Sequence, residues 1–198
     1  MAGSKQLEMP SWTVAAQRAP GWAILGAAAL VLLVAVSAQI AVPLPGTPVP
    51  VTLQDITVLS VGLVLGPVGG ALTVASYVLL GAAGAPVFSN GMGGLPWLMG
   101  PTGGYLLAFP VAAFLVGWAT RPSKPWWMLP LGLVAAQAAV FTLGVLQLAL
   151  VTGMGLQAAV TAGLIPFLPG VAVKGAIFLA FAAGFLRWRQ GRGEAAAD

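Results

Sequence analysis

Long apolar runs, separated by short breaks rich in proline, glycine and charge, form the pattern of this chain. The breaks define six apolar segments, at about 21–41, 53–66, 68–83, 101–119, 126–151 and 170–186. A helix needs about 20 apolar residues to cross a bilayer core of ~30 Å. The second segment is short for a full crossing. The pattern therefore predicts an all-α membrane protein with six transmembrane helices.

Glycine and other small residues predict how these helices connect and pack. The second and third segments are joined by "GPVGG", from Gly66 to Gly70, which is a helix stop followed by a proline that suits a helix start. Small residues also recur at four-residue spacing, as Ala23 and Ala27, Gly62, Gly66 and Gly70, and Gly100 and Gly104. Such pairs let helices approach closely in a bilayer. On the first helix, an outward-facing docking patch for another membrane subunit is the alternative to internal packing.

The composition agrees with a bilayer environment. Of the 198 residues 59% are hydrophobic and 6% are charged, and the mean hydropathy is +0.98, all outside the range of soluble domains. The chain has no histidine and no cysteine, which removes the usual metal ligands, thiol nucleophiles and imidazole bases. We therefore expect no metal, no cofactor and no catalytic residue. The basic residues form no nucleic-acid patch, so we expect no nucleic-acid partner.

The basic residues instead predict the membrane topology, because short cytoplasmic loops collect Lys and Arg. With the N-terminus inside, seven of the eight basic residues fall on the cytoplasmic side: Lys5, Arg18, Arg121, Lys124, Arg187, Arg189 and Arg192. The predicted outer loops, around 42–52, 84–100 and 152–169, contain none. We therefore expect one domain over 1–198 with both termini cytoplasmic, a lead-in at 1–20 and a tail at 187–198.

Polar residues collect on the predicted outer side. They are Thr52, Gln54, Asp55, Ser89, Asn90, Thr102, Tyr105 and Lys174. Non-helical backbone and polar groups at membrane depth are tolerated only inside protein or around a water-filled cavity. The clustering therefore predicts a binding site that opens to the outside.

Lys174 is the most informative of these residues. A lone ammonium within a bundle costs at least ~2.5 kcal/mol on insertion scales and commonly lies on a substrate or ion path. The preceding "PFLPG" places it near the start of the last helix, where the dipole does not favour a cation. A lysine beside a helix N-terminus suits a carboxylate ligand. A snorkelling or structural lysine remains the alternative.

The other polar residues each have a structural alternative. "TLQD" fits a helix cap in which Thr52 and Asp55 satisfy free amides, and a ligand contact or a pair with Lys174 is the other interpretation for Asp55. Ser89 and Asn90 fit plain turn formation. Trp97 fits an interfacial tryptophan belt.

The glycine-rich sequence "GMGGLPW" is not a phosphate loop. It lacks the third glycine of G-x-G-x-x-G, and no G-x-x-x-x-G-K-[ST] occurs in the chain. No histidine is present to activate a serine, and no aspartates are paired. We therefore expect neither an ATPase site nor a protease site.

Five motifs in chain order resemble the biotin-specific S components of energy-coupling factor transporters, the BioY family. They are "VPVTLQ" at 49–54, "GLVLGPVGGAL" at 62–72, "GAAGAPVF" at 81–88, "GGLPWLMGPTGGYLLAF" at 93–109, and "PFLPG" at 166–170 followed by Lys174. The resemblance covers most of residues 20–186, and "GPTGGYL" with "TLQ" is its most specific part.

The resemblance implies a six-helix S-component fold in a bacterial or archaeal cytoplasmic membrane, which binds biotin from the outside with high affinity. Uptake would need an energy-coupling module of a transmembrane T component and two ATPases, docked on small residues of the first helix, here Ala23 and Ala27. It also implies that the third loop closes over the ligand and that Asn90 and Lys174 match polar ligand contacts.

The inventory of outer residues suits this ligand, since biotin needs apolar walls, a few polar groups and one cation. Leu95, Trp97 and Tyr105 would supply walls, and Lys174 would bind the carboxylate. Candidates for the ureido group are Asn90, Ser89, Gln54 and Thr52.

One position departs from the family pattern. The family usually has an aspartate directly after "PFLPG", where this chain has Val171. We hypothesise that Asp55 compensates. The competing functions are an S component for another vitamin, a membrane scaffold without a small ligand, and a membrane enzyme, which the absence of histidine and cysteine disfavours.

Overall fold

The computed structural model describes residues 21–194, except for the side chains of 190 and 192–194. Seven α-helices follow one another: α1 (Gly21–Gln39), α2 (Gln54–Ala82), α3 (Leu95–Leu98), α4 (Gly103–Ala119), α5 (Met128–Thr152), α6 (Leu156–Gly163) and α7 (Leu168–Glu194). Short 3-10 turns lie at Ser89–Gly91 and Ile165–Phe167. The predicted lead-in, with Lys5 and Arg18, the side chain of Arg192 and the end of the tail lie outside the described residues.

The helix α2 consists of two antiparallel halves that meet at Gly66. This glycine has φ 73° and ψ −176°, which is not helical, and Pro67 follows it. The side chain of Gln54, at the start of the first half, donates a hydrogen bond of 2.6 Å to Tyr77 near the end of the second. In a straight helix these residues would be about 35 Å apart. The predicted tight connection at "GPVGG" is therefore confirmed.

Close backbone contacts hold the halves of α2 against α4. A Cβ on Gly70 would lie 2.7 Å from the Cα of Gly62, and a Cβ on Gly62 would collide with the carbonyl of Ala113. Gly103 and Gly104 likewise leave no room for a side chain against the carbonyls before α4 and in α5. The small residues at these positions are therefore needed for helix packing, as the four-residue spacing predicted.

The core lies between α2, α4 and α5, with α1 at the edge. Only Val34, Ser37 and Ala38 of α1 are buried. Ala23 and Ala27 are half-buried on the same helical face as Val34 and Ala38, which is the face toward the bundle. They do not lie on the outermost surface of α1, as the docking interpretation expected, because that surface carries larger exposed side chains.

Four elements were not predicted from the apolar pattern, one of which is α3 in the predicted outer loop at 84–100. Residues 41–42 and 51–52 pair as antiparallel strands β1 (Ala41–Val42) and β2 (Val51–Thr52). The predicted outer loop at 152–169 contains α6. The helix α7 continues to Glu194, because the polar sequence after 186 contains good helix formers and no proline.

Four helices are long and apolar enough to cross a membrane: Gly21–Gln39, Gln54–Ala82, Met128–Thr152 and the stretch Leu156–Arg189. The apolar α4, Gly103–Ala119, is shorter. The structure is thus a helical bundle of membrane-protein composition in which α2 turns back on itself.

Candidate functional site

A cavity lies near the starts of α2, α4 and α7, and we call it the Lys174 cavity. Its wall combines a charged pair, several amides and hydroxyls, and aromatic rings. The lining residues are Val49, Pro50, Val51, Thr52, Gln54, Asp55, Ser89, Trp97, Thr102, Tyr105, Leu106, Phe109, Gln137, Val140, Phe141, Phe167, Val171 and Lys174. Seven of the nine ligand contacts predicted from the sequence are among them.

Lys174 and Asp55 form a salt bridge in the cavity wall. The Nζ atom lies 2.7 Å from each carboxylate oxygen, and it also donates a hydrogen bond of 3.0 Å to the backbone carbonyl of Thr52. The two side chains are 15% and 16% exposed. An ammonium has three protons, and these three oxygens can accept all of them, so a further acceptor would share or replace one of these contacts. The pairing alternative for Asp55 is therefore the one the structure shows.

The helix cap expected from "TLQD" forms only in part. The Thr52 hydroxyl accepts a hydrogen bond of 3.3 Å from the backbone N–H of Gln54. Asp55 does not complete a capping box, because its carboxylate is turned toward Lys174. The attraction between two opposite charges that are mostly buried outweighs a hydrogen bond to a neutral amide.

Gln54 connects the cavity wall to the segment after α2. Its Nε2 donates to the hydroxyl of Tyr77, which in turn donates to the carbonyl of Val87 at 3.0 Å. Tyr77 is fully buried and packs edge-on against Phe88, with ring centroids 5.7 Å apart. This relay fixes the Gln54 amide and leaves its Oε1 atom as the free polar group.

Tyr105 forms an aromatic wall of the cavity and is fixed at both ends. Its hydroxyl donates a hydrogen bond of 2.8 Å to the carbonyl of Gly163 at the end of α6. Its ring fills the space that a side chain at Gly144 would need and lies edge-on to Phe141, with centroids 6.3 Å apart. Because the hydroxyl is occupied, the ring provides the surface that a ligand would meet.

The 86–99 segment closes one side of the cavity, with Ser89 and Trp97 in the wall. Asn90 and Leu95 do not line the cavity; both are exposed. Asn90 is in the left-handed conformation at φ 60°. The expectation that Asn90 and Lys174 share the cavity, and that Leu95 forms a wall, is therefore not met in this structure.

Gln39 at the end of α1 holds the 86–99 segment in this position. Its Nε2 donates to the carbonyl of Phe88 at 3.0 Å, and its Oε1 accepts from the N–H of Gly91 at 2.8 Å. Phe88 itself is fully buried, with its ring against Gly81. The segment is thus anchored by one buried ring and one amide.

Gln137 is a cavity residue that the sequence reasoning missed. It lies midway along α5, lines the cavity, and makes no hydrogen bond to a described residue. Gln137 and Gln147 are two amides in a long apolar helix, and they were a usable signal, since such groups are costly in a membrane. Thr102 supplies a further hydroxyl to the same wall.

The cavity volume is about 80 Å³, which corresponds to two or three waters at ~30 Å³ each. Pockets for drug-sized ligands measure roughly 300–1,000 Å³. A vitamin-sized ligand therefore fits only after part of the wall moves.

The fold and the cavity together define a multi-pass helical membrane protein with the fold of an S-component. The structure matches the crystal structure of the S-component for biotin from an ECF-type ABC transporter with a TM-score of 0.73 over 92% of this chain and 95% of that one. The two sequences are 23% identical, so this similarity shows the fold.

The chain belongs to the BioY family, whose model matches residues 12–191. The biotin transporter BioY of Thermotoga maritima is 43% identical over 136 residues, which is 68% of this chain and 78% of that protein. The biotin transporter BioY of Rhodobacter capsulatus is 37% identical over 158 residues, 72% of this chain and 81% of that protein. The resemblance identified from the sequence motifs is confirmed.

Proposed function

We propose that this chain is the biotin-binding subunit of an uptake transporter and performs no chemistry on its ligand. The family and its relatives, which are named biotin transporters, support this function. The observation that carries it is the Lys174 ammonium in the wall of a largely apolar cavity.

The cavity offers a partner for each part of biotin. The carboxylate would accept a hydrogen bond from Lys174 in place of one of its present contacts. The ureido group needs both donors and acceptors, and Thr52, Gln54 Oε1, Ser89, Thr102 and Gln137 supply them. The aromatic side chains of the wall would bury the fused rings and the aliphatic chain: Trp97, Tyr105, Phe109, Phe141 and Phe167.

The 86–99 segment would move to admit biotin, because the volume is too small otherwise. Gly91 and Gly94 have φ 69° and 94°, a backbone conformation that favours glycine. Movement of the segment would carry Ser89 and Trp97 with it and allow Asn90 to turn toward the ligand. Asn90 and Leu95 thus stay candidates for the ligand-bound arrangement only.

Asp55 would serve the site through Lys174. The position after "PFLPG" is Val171, which lines the cavity with an apolar side chain. Asp55 reaches the same lysine from the start of α2. This arrangement supports the hypothesis that Asp55 compensates for the missing aspartate, by fixing the ammonium in the wall.

The halves of α2 with α1, α4, α5 and α7 would form six membrane crossings in a cytoplasmic membrane, with both termini inside and the Lys174 cavity facing out. Since the chain lacks cysteine, single cysteines can test this. Ser123→Cys should react with a membrane-impermeant maleimide only after cells are opened, and Thr47→Cys should react in intact cells. The reverse pattern would overturn the orientation.

Transport would require an energy-coupling module, a T component with two ATPases, since the sequence has no phosphate loop. Docking through Ala23 and Ala27 remains part of the proposal; because both are half-buried, the module would contact α1 along its edge with the bundle. Ala23→Leu/Ala27→Leu should leave biotin binding intact and abolish co-purification with the module. Co-purification at the level of the unmodified chain would remove this docking face.

The direct test is equilibrium binding of labelled biotin to the purified chain in detergent, with desthiobiotin, thiamine and riboflavin as competitors. Saturable binding that desthiobiotin displaces and the other vitamins do not is expected. Displacement by thiamine or riboflavin would indicate an S component for another vitamin. A folded chain without saturable binding would indicate a scaffold subunit and refute the proposal.

A further inference from the structure

A second cavity, the basic cavity, lies at the other end of the bundle from the Lys174 cavity. It has a volume of about 300 Å³ and is lined by Ala119, Thr120, Arg121, Pro122, Lys124, Pro125, Trp126, Leu129, Ala183, Leu186, Arg187 and Arg189. The nearest lining residues of the two cavities are 10 residues apart on α4, at Phe109 and Ala119, and 9 apart on α7, at Lys174 and Ala183, or about 14 Å along each helix. The basic cavity is therefore a separate site.

Two of its four cations are held in the wall by uncharged groups. Arg189 donates a hydrogen bond of 2.8 Å to the carbonyl of Thr120. The ammonium of Lys124 lies 4.2 Å from the ring centroid of Trp118. A carbonyl and an aromatic face position a cation without neutralising it. Both side chains thus keep their full charge toward the cavity.

The cavity is strongly electropositive, because the described residues around it bring no carboxylate. Of the four acids in the chain, Asp55 is the one with a described side chain, and it pairs with Lys174 at the opposite end. Arg121 and Arg187 add two exposed guanidinium groups to Lys124 and Arg189. Four like charges around one cavity repel each other, and an anion would relieve that repulsion.

The surroundings of the basic cavity favour a lipid over a soluble anion. Trp126, Trp127 and Trp188 are exposed by 83%, 50% and 56%, as is typical of tryptophans at a membrane–water interface. The wall also includes Leu129 and Leu186, so apolar and cationic surface are adjacent. Guanidinium groups bind phosphate through two parallel hydrogen bonds.

We propose that the basic cavity binds the phosphate headgroup of an anionic phospholipid. Arg121 and Arg187 would contact the phosphate oxygens from the exposed side. Lys124 and Arg189, which are held in the cavity wall, would add positive charge close to the phosphate. The acyl chains would lie along the exposed apolar faces beside the tryptophans. Basic pockets between helices at a membrane surface generally bind anionic lipid headgroups.

The test is a lipid titration of the delipidated full chain in detergent, with bound lipid counted by native mass spectrometry. Phosphatidylglycerol should bind at least about tenfold more tightly than phosphatidylcholine with the same acyl chains. The pair Arg121→Gln/Arg187→Gln should weaken phosphatidylglycerol binding by about thirtyfold, since each cation near an anionic lipid contributes about fivefold in affinity. Arg121→Lys/Arg187→Lys should stay within about threefold, because it keeps the charge.

Lys5→Gln/Arg18→Gln is the matched control, since it also removes two positive charges, but at positions outside the described residues. It should leave phosphatidylglycerol binding within about threefold. An equal loss of phosphatidylglycerol affinity in this control, or equal affinity of the unmodified chain for the two lipids, would refute the proposed lipid site. Inorganic phosphate that displaces phosphatidylglycerol at comparable concentration would show a soluble anion instead. If the Gln pair fails to fold, the lipid comparison on the unmodified chain decides.

Discussion

Replacing Lys174 by methionine tests the carboxylate assignment directly. Methionine keeps the length of the side chain and removes its charge and its donors. In the structure this abolishes the 2.7 Å pair with Asp55 and the 3.0 Å hydrogen bond to Thr52. It would also remove the ammonium that the ligand carboxylate would contact.

The expected loss of biotin affinity is about 2 kcal/mol, or about thirtyfold in Kd. A hydrogen bond to a charged group contributes roughly 1.5–3 kcal/mol, and the presence of Asp55 lowers the gain, because it already neutralises much of the charge on Lys174. Without the lysine, Asp55 repels the ligand carboxylate. The double variant Lys174→Met/Asp55→Asn should therefore recover about tenfold relative to Lys174→Met, since two charges 5 Å apart repel by up to ~3 kcal/mol at an effective dielectric constant of ~20.

The assay is equilibrium binding of biotin and of neutral biotinamide to each purified variant. Biotinamide binding should change by less than about threefold in Lys174→Met, because the amide makes no charged contact. Lys5→Met, outside the described residues, is the control for the replacement. Unchanged binding of both ligands would refute the carboxylate assignment. An equal loss of affinity for both ligands would indicate that Lys174 has a structural role. Asp55→Asn should raise the affinity ratio of biotin to biotinamide; unaltered biotin binding in Asp55→Ala would remove Asp55 from the site.

Three further variants test the framework of the cavity. Tyr77→Phe breaks the buried relay from Gln54 and should lower the free energy of unfolding by about 1–3 kcal/mol, measured by thermal or denaturant unfolding in detergent; an unchanged transition would contradict the relay. Gln39→Ala should make the 86–99 segment more susceptible to proteolysis and speed both association and dissociation of biotin, while Gln157→Ala, an exposed glutamine of α6, should not; equal behaviour of the two would disprove the anchoring role. Gly62→Val should prevent close packing of α2 on α4 and cost at least ~3 kcal/mol, so a variant with the parent unfolding temperature would mean that the helices separate more easily than the contacts imply.

The helices and the charged pair could be predicted from the sequence because the relevant signals are local or scarce. Apolar length and the "GPVGG" break locate the long helices within a few residues, apart from the end of α7, but not the short α3 and α6. Asp55 and Lys174 are rare charges in a membrane sequence, and a charge within a bundle usually pairs with an opposite charge. Because few other charges are present, a salt bridge between these two could be expected.

The orientation of Asn90 could not be predicted, because contacts distant in the sequence determine it. The turn at Asn90 is fixed by Gln39, 52 residues before Gly91, and by the burial of Phe88 against Gly81. Gln137 was missed for another reason. A neutral amide hardly lowers the hydropathy of a 25-residue helix, so a search for charges passes over it.

The small volume of the Lys174 cavity has a consequence for how binding would be measured. If most molecules are closed, an apparent Kd equals the intrinsic Kd divided by the open fraction. A site that is open in about 1% of molecules would then bind a hundredfold more weakly than its contacts allow. Association would also be slower than the ~10⁵–10⁷ M⁻¹s⁻¹ of preformed sites. Capture of the vitamin would then be governed by how often the 86–99 segment opens, and the affinity of the polar contacts would determine how long the ligand stays.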